Sequence, residues 1–298
     1  MDMESAKESL LSRFGPNLEV WPDDTVAIGQ TLGTELSPEE SHEVLAIICV
    51  RYLLQSGWAD HHDIRALVQD GDADENSEEE EEEHDTRVTA DEFASLRLHF
   101  PSIAYAAQRW MVHVAKTCDN NHTLPSHLVS VLDDFLFGNP KHFNAWVDLE
   151  WRLYEMGDWV TTGHGITALH VAARYGWRQY LALLLERSAM NTELDIDAVD
   201  FASKQTPLFF AAKYGHAVCV KVLADAGANL EIKNCNKVNV LRQAISRNHI
   251  AVVKVLLEFG IDHMRQEGDR DDHPELRRAC ENGQVEIVEA SLPWLKGD

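Results

Sequence analysis

Thr206-Pro-Leu-Phe-Phe-Ala-Ala212, followed by Tyr214-Gly215-His216 and the apolar run Val218 to Leu223, decides how this chain folds. A Thr-Pro pair opens a helix, because the Thr side chain can cap a free N–H and Pro fits the first turn. Two alanines let that helix approach its neighbours closely. Gly215 suits the left-handed backbone that ends it. A second apolar helix then runs to Ala226-Gly227-Ala228-Asn229. One such unit cannot cover its own apolar face, so copies must stack.

Copies stand on both sides. Upstream, Thr167-Ala-Leu-His-Val-Ala-Ala173 and Tyr175-Gly176 precede Leu181 to Leu185. Downstream, Asn239-Val-Leu-Arg-Gln-Ala244 and Asn248-His249 precede Val252 to Leu257 and Phe259-Gly260-Ile261-Asp262. A fourth copy is Pro274-Glu-Leu-Arg-Arg-Ala-Cys280 with Asn282-Gly283 and Val285 to Val288. The anchor leucines Leu169, Leu208, Leu241 and Leu276 are 39, 33 and 35 residues apart.

This pattern resembles the ankyrin repeat, and the resemblance implies antiparallel helix pairs joined by projecting turns. About four repeats are expected, over residues 163–197, 203–235, 236–268 and 271–298. Three departures carry expectations. Ser188-Ala189 replaces the usual Gly-Ala, and about six extra residues around Leu194 to Phe201 predict a longer turn. Repeat three lacks the Thr-Pro start. Repeat four is expected to act as a cap that closes at Pro293.

The chain has 298 residues, 45% of them apolar, and a net charge of -24. Residues 1–155 hold 10 Lys and Arg against 31 Asp and Glu, and residues 156–298 hold 16 against 19. The acidity belongs to the first half and argues against nucleic-acid binding, which needs cations to neutralise phosphates. Five scattered cysteines, with no Cys-x-x-Cys, fit free thiols in a reducing compartment. The start is acidic where a signal peptide would be basic, and the run Val44 to Val50 is too short to span a bilayer. A soluble protein of the cytoplasm or nucleus, without a membrane partner, is the expectation.

The fold class expected is all-α: a helical N-terminal domain over 1–155, then the repeats over 156–298. Residues 1–70 and 92–155 both read as helical. Ser37-Pro-Glu-Glu40 is a helix start, and Phe93 to Lys116, Leu128 to Phe137 and Phe143 to Tyr154 follow as helices. Between them, at about 70–91, six consecutive glutamates from Glu78 to Glu83 repel each other and read as a disordered loop.

Phe100-Pro-Ser-Ile-Ala-Tyr105-Ala-Ala-Gln-Arg-Trp110-Met-Val-His113 resembles a segment of fungal NACHT–ankyrin proteins, the NLR-like signalling ATPases. His42-Glu-Val-Leu-Ala-Ile-Ile-Cys49-Val-Arg-Tyr52-Leu53 is similar to another, and Leu132, Phe135 and Trp146 fit a third. In that family the repeats are thought to sense a ligand or partner. No Gly-x-x-x-x-Gly-Lys-Ser/Thr occurs here, so the ATPase is not implied and no cofactor is expected. What the resemblance implies is a helical spacer and a recognition stack.

Ankyrin stacks bind through turn tips and the concave face of their first helices. The register places Val171, Arg174 and Tyr175, then Phe210, Lys213 and Tyr214, then Gln243, Ser246 and Arg247, then Arg278, Glu281 and Asn282 on that face. Arg174, Tyr175, Phe210, Lys213, Tyr214, Arg247 and Arg278 are the candidate contacts, since Tyr and Arg are favoured anchors. The partner expected is a protein, an acidic one included, and the Glu78–Glu83 run is itself a candidate to mask the stripe. The alternative is an enzyme or small-molecule site at the junction of the halves, where Trp146, Asp148, Trp151, Asp158, Trp159 and His164 crowd. A third reading is a regulator of a transcription factor. No metal site is expected, although His113, Cys118, His122 and His127 are near in sequence: structural zinc favours paired cysteines or Cys₂His₂ sets. No nucleophile elbow or other catalytic motif is present.

Overall fold

The computed structural model describes residues 18–20, 26–28, 38–55, 57–60, 103–118, 123–154, 165–190, 194–261 and 274–292. The chain forms two compact units, residues 1–164 and 165–298. The architecture is all-α, a helical unit followed in sequence by a stack of helix pairs.

One small element of the first unit departs from the helical expectation for residues 1–70. Strands β1 (Leu18–Val20) and β2 (Val26–Ile28) pair antiparallel, with Leu18 opposite Ile28. Pro22 and two aspartates lie between them, and that turn chemistry opposes a continuous helix. The helices are α1 (Pro38–Gln55), α2 (Ile103–Cys118), α3 (Ser126–Leu136) and α4 (Pro140–Tyr154), with a short 3-10 turn at Gly57–Asp60. The region of the expected acidic loop, about 70–91, lies outside the described residues.

Helix α1 packs along α2 and against α3 and α4. The core between them is aromatic. Trp58, Trp110, Phe135 and Trp146 are fully buried. The Trp110 ring meets Trp146 edge-on at 5.0 Å and Phe135 at 5.3 Å. A buried indole N–H needs an acceptor. Trp146 Nε1 donates to the Ala107 carbonyl at 2.9 Å, and Trp58 Nε1 to that of Leu53 at 2.8 Å.

The second unit is four helix pairs among the described residues: α5 (Ala168–Tyr175) with α6 (Arg178–Met190), α7 (Pro207–Lys213) with α8 (Ala217–Asp225), α9 (Val240–Ser246) with α10 (Ile250–Glu258), and α11 (Pro274–Glu281) with α12 (Val285–Ser291). First helices pack on first helices and second on second, giving two layers. Leu169, Leu208 and Leu241 are buried between the layers, as are Ala172, Ala173, Ala211 and Ala212.

Local chemistry explains the helix ends. Thr206 Oγ1 accepts the Phe209 N–H, and Asn239 Oδ1 accepts the Arg242 N–H at 2.8 Å. Asn239 thus caps the helix of repeat three in place of the Thr-Pro start. The extra residues around Leu194 to Phe201 lie in a turn as expected, and the helix before them is longer as well. Helix α6 runs 13 residues where α8 and α10 run 9. The reason is Ser188. Helices α8 and α10 stop before left-handed Gly227 and Gly260, and Ser188 stands where that glycine is missing. Pro293, the expected end of repeat four, lies outside the described residues.

Candidate protein-binding face

The face is built from the C-terminal halves of α5, α7 and α9. Arg174, in the last turn of α5, places its guanidinium carbon 5.5 Å from the Tyr175 ring centre and 5.0 Å from that of Tyr214. Lys213 Nζ lies 5.6 Å from the Tyr214 ring and 5.9 Å from Phe210. Phe210 stacks on Tyr214 at 6.5 Å and meets the His170 edge at 5.5 Å. The result is one cation–aromatic ladder across repeats one and two. Such contacts hold long cationic side chains in fixed positions and lower the entropy they would lose on binding.

The exposed part of the stripe is narrower than the register alone predicts. Phe210 and Val171 are almost fully buried, and Arg174 is only 6% exposed. The neighbouring first helix covers them. Tyr175, Lys213, Tyr214, Gln243 and Arg278 are half-buried, and Ser246, Arg247, Glu281 and Asn282 are exposed. Phe201, in the turn before α7, is 73% exposed. Its position in the extra residues after repeat one was legible, but nothing in the sequence marks its exposure.

The turns leading into the first helices are tightly bonded. Asp200 accepts the Ser203 N–H at 2.6 Å, the Ser203 hydroxyl at 2.7 Å and the Gln205 N–H at 2.8 Å. Asn234 does the same for the next turn, accepting from Asn236 and Val238. Adjacent turns are tied by Cys235 N–H to Ser203 O and by Asn229 N–H to Asp197. His170 links turn to helix. Its Nδ1 accepts the Thr167 N–H at 3.1 Å, which leaves Nε2 to donate to the Gln205 carbonyl at 3.1 Å. Burial pushes its pKa down to about 4, against raising contributions from the Gln205 carbonyl and Asp200.

The motifs of the first unit meet through their histidines. His42 of α1 and His113 of α2 bring their Nδ1 atoms to 2.9 Å, and Tyr105 OH lies 2.9 Å from His113 Nε2. Burial, then the neighbouring His42 and Arg109, pushes the His113 pKa down to about 4. Cys118 is buried and His127 contacts Glu43. His122 lies outside the described residues.

Trp146 belongs to the aromatic core of the first unit, and Asp148 is buried in the same helix. Asp158, Trp159 and His164 lie outside the described residues, as does the side chain of Trp151.

Residues 147–234 match the family model of ankyrin repeats, in three copies. The match ends before α9, so the third and fourth helix pairs are carried by the structure itself. B-cell lymphoma 3 protein homolog of Mus musculus is 35% identical over 151 residues, 51% of this chain and 28% of that protein. B-cell lymphoma 3 protein of Homo sapiens is 33% identical over 141 residues, 47% of this chain and 26% of its own length. A putative E3 ubiquitin-protein ligase, XBAT31 of Arabidopsis thaliana, is 40% identical over 92 residues, 30% and 19% of the two chains. The chain thus spans less than a third of each of these relatives. These similarities are of the ankyrin-repeat kind and give nothing specific to the NACHT–ankyrin resemblance. No helix among the described residues is long and apolar enough to cross a membrane.

Proposed function

We propose that the repeats bind a protein partner through the face formed by α5, α7 and α9, and that the chain acts as an adaptor. Ankyrin repeats as a class support protein–protein contacts. The observation that carries the reading to this face is the cation–aromatic ladder. Tyr175 and Tyr214 keep surface open to solvent while Arg174 and Lys213 hold their rings. A rigid aromatic anchor beside a cation is the composition that dominates binding energy at protein interfaces. The helical unit is the spacer, and its likeness to fungal NACHT–ankyrin proteins supports a signalling context without the ATPase.

The test is recovery of partners from the native cell with the full chain and with Tyr175→Ala/Tyr214→Ala. Loss of the two rings should weaken a bound partner by roughly 30-fold or more, enough to remove it from the recovered set. Folding of the variant is checked by circular dichroism. If a folded variant recovers the same partners at the same yield, the face is wrong.

A further inference from the structure

Three turns lead into the first helices, and each holds one left-handed residue two positions before the helix cap. In repeat one it is Gly165, at φ 85°. In repeats two and three it is Lys204, at φ 53°, and Lys237, at φ 58°. Glycine adopts this backbone freely, whereas a side chain is strained there. Lysine lacks the short polar group with which Asn or Asp relieves that strain. The chain therefore places a cation twice where glycine would be more stable. Both lysines are exposed. Strain that recurs at equivalent positions points to use rather than to folding.

The charges beside them agree. Lys213 and Arg247 occupy the adjoining helix ends, and no Asp or Glu shares their register positions until Glu281 in repeat four. Asp195, Asp197 and Asp200 in the first turns accept backbone N–H groups of the turns themselves. These bonds hold the shape of the turns, and the three carboxylates keep their negative charge on the turn side of the stripe.

We propose that repeats one to three take an extended, carboxylate-rich peptide segment of a partner protein, with Lys204 and Lys237 at the turn tips and Lys213 and Arg247 on the helices as its cationic contacts. This rests on the binding face proposed above and names the chemistry of what binds there. Tyr214 supplies the ring between the two rows of charge. Glu281, paired with Arg277 at 3.6 Å, is the first acidic residue at these register positions and marks the end of the cationic stretch.

The experiment uses fluorescence anisotropy with two labelled peptides, six glutamates flanked by tyrosines and the same peptide with glutamines. It is run on the full chain and on the full chain with Glu78 to Glu83 changed to glutamine, which removes any competition from that run. The key variant is Lys204→Gly/Lys237→Gly. It should melt higher, by about 2–4 °C, because the strain is relieved. It should also bind the glutamate peptide about three- to tenfold more weakly, with a smaller salt dependence. A lysine with a merely structural role would not give these opposite signs. Unchanged affinity in that variant overturns the proposal, as does the absence of saturable binding in both backgrounds. Equal binding of both peptides, weakened by Tyr175→Ala/Tyr214→Ala, removes the acidic partner while leaving the face. Glutamate-peptide binding that ignores the tyrosine variant removes the face itself.

Discussion

Gly215→Val is expected to lower the stability of the repeat stack by about 3–5 kcal/mol, the sum of a left-handed side-chain penalty and a buried clash. Gly215 ends α7 at φ 82°. A Cβ there would lie 2.8 Å from His249 Nδ1 and 2.9 Å from its Cε1. Gly176 is in the same relation to His216, at 2.6 Å. The rings cannot simply move away, because each joins its repeat to the one before. His216 Nε2 donates to the Arg174 carbonyl at 2.9 Å, and His249 Nε2 to the Lys213 carbonyl at 3.0 Å. Those carbonyls belong to the last turns of α5 and α7.

The third junction uses a related device with both parts exchanged and an acceptor one residue earlier in the register. Asn248, at φ 60°, replaces the glycine, and Gln284 replaces the histidine. Gln284 Nε2 donates to the Ile245 carbonyl at 2.7 Å. A side chain at the left-handed position therefore goes with a flexible amide instead of a ring. Gly215→Asn with His249→Gln should retain more stability than Gly215→Val, since it copies that junction. Thermal unfolding followed by circular dichroism ranks the three proteins. A Gly215→Val protein that melts with the wild type would show that His249 does not dock on this glycine.

Acid is expected to loosen the stack from within. His170 titrates near 4 in the folded chain and near 6.5 when unfolded. Between those values the unfolded chain binds a proton that the folded chain refuses. Stability present at neutral pH is therefore lost as pH falls from about 6.5 to about 4, and the loss levels off below. Its size is about 3 kcal/mol for this residue. The cause is local: a proton on Nδ1 would displace the Thr167 N–H, and the buried ring would carry a charge. Calorimetry from pH 7 to pH 4 should show the transition of the repeats falling, with a shallower fall in His170→Gln. The same slope in both proteins would assign the acid response to another group.

The helix pairs were legible because their signals are local and repeated. Thr167, Thr206 and Asn239 mark starts, and the alanine pairs and Val/Leu runs mark the two layers. What escaped depends on contacts between units of sequence far apart. The pairing of Gly215 with His249 joins residues 34 apart. The register names the face on which Arg174 and Phe210 lie, but not how deeply the next helix covers them. Ser188 shows the limit of a consensus. The extra residues around Leu194 to Phe201 predicted a longer turn and do lie in one, while the missing glycine also lengthens the helix before it, which the consensus does not mark. In the first unit, Trp146 read as a wall of a junction site. Its indole finds an acceptor on α2 and rings on α2 and α3, contacts that no local pattern marks. The strained lysines have no sequence signature, because a positive φ is visible only in the backbone.

Hydrogen–deuterium exchange on the full chain, with and without a partner recovered from the cell, tests the central claim most directly. The account predicts slowed exchange in α5, α7 and α9 and in the turns that carry Lys204 and Lys237, with α6, α8 and α10 unchanged. Protection confined to the second helices, or to residues 38–154 of the helical unit, would contradict it.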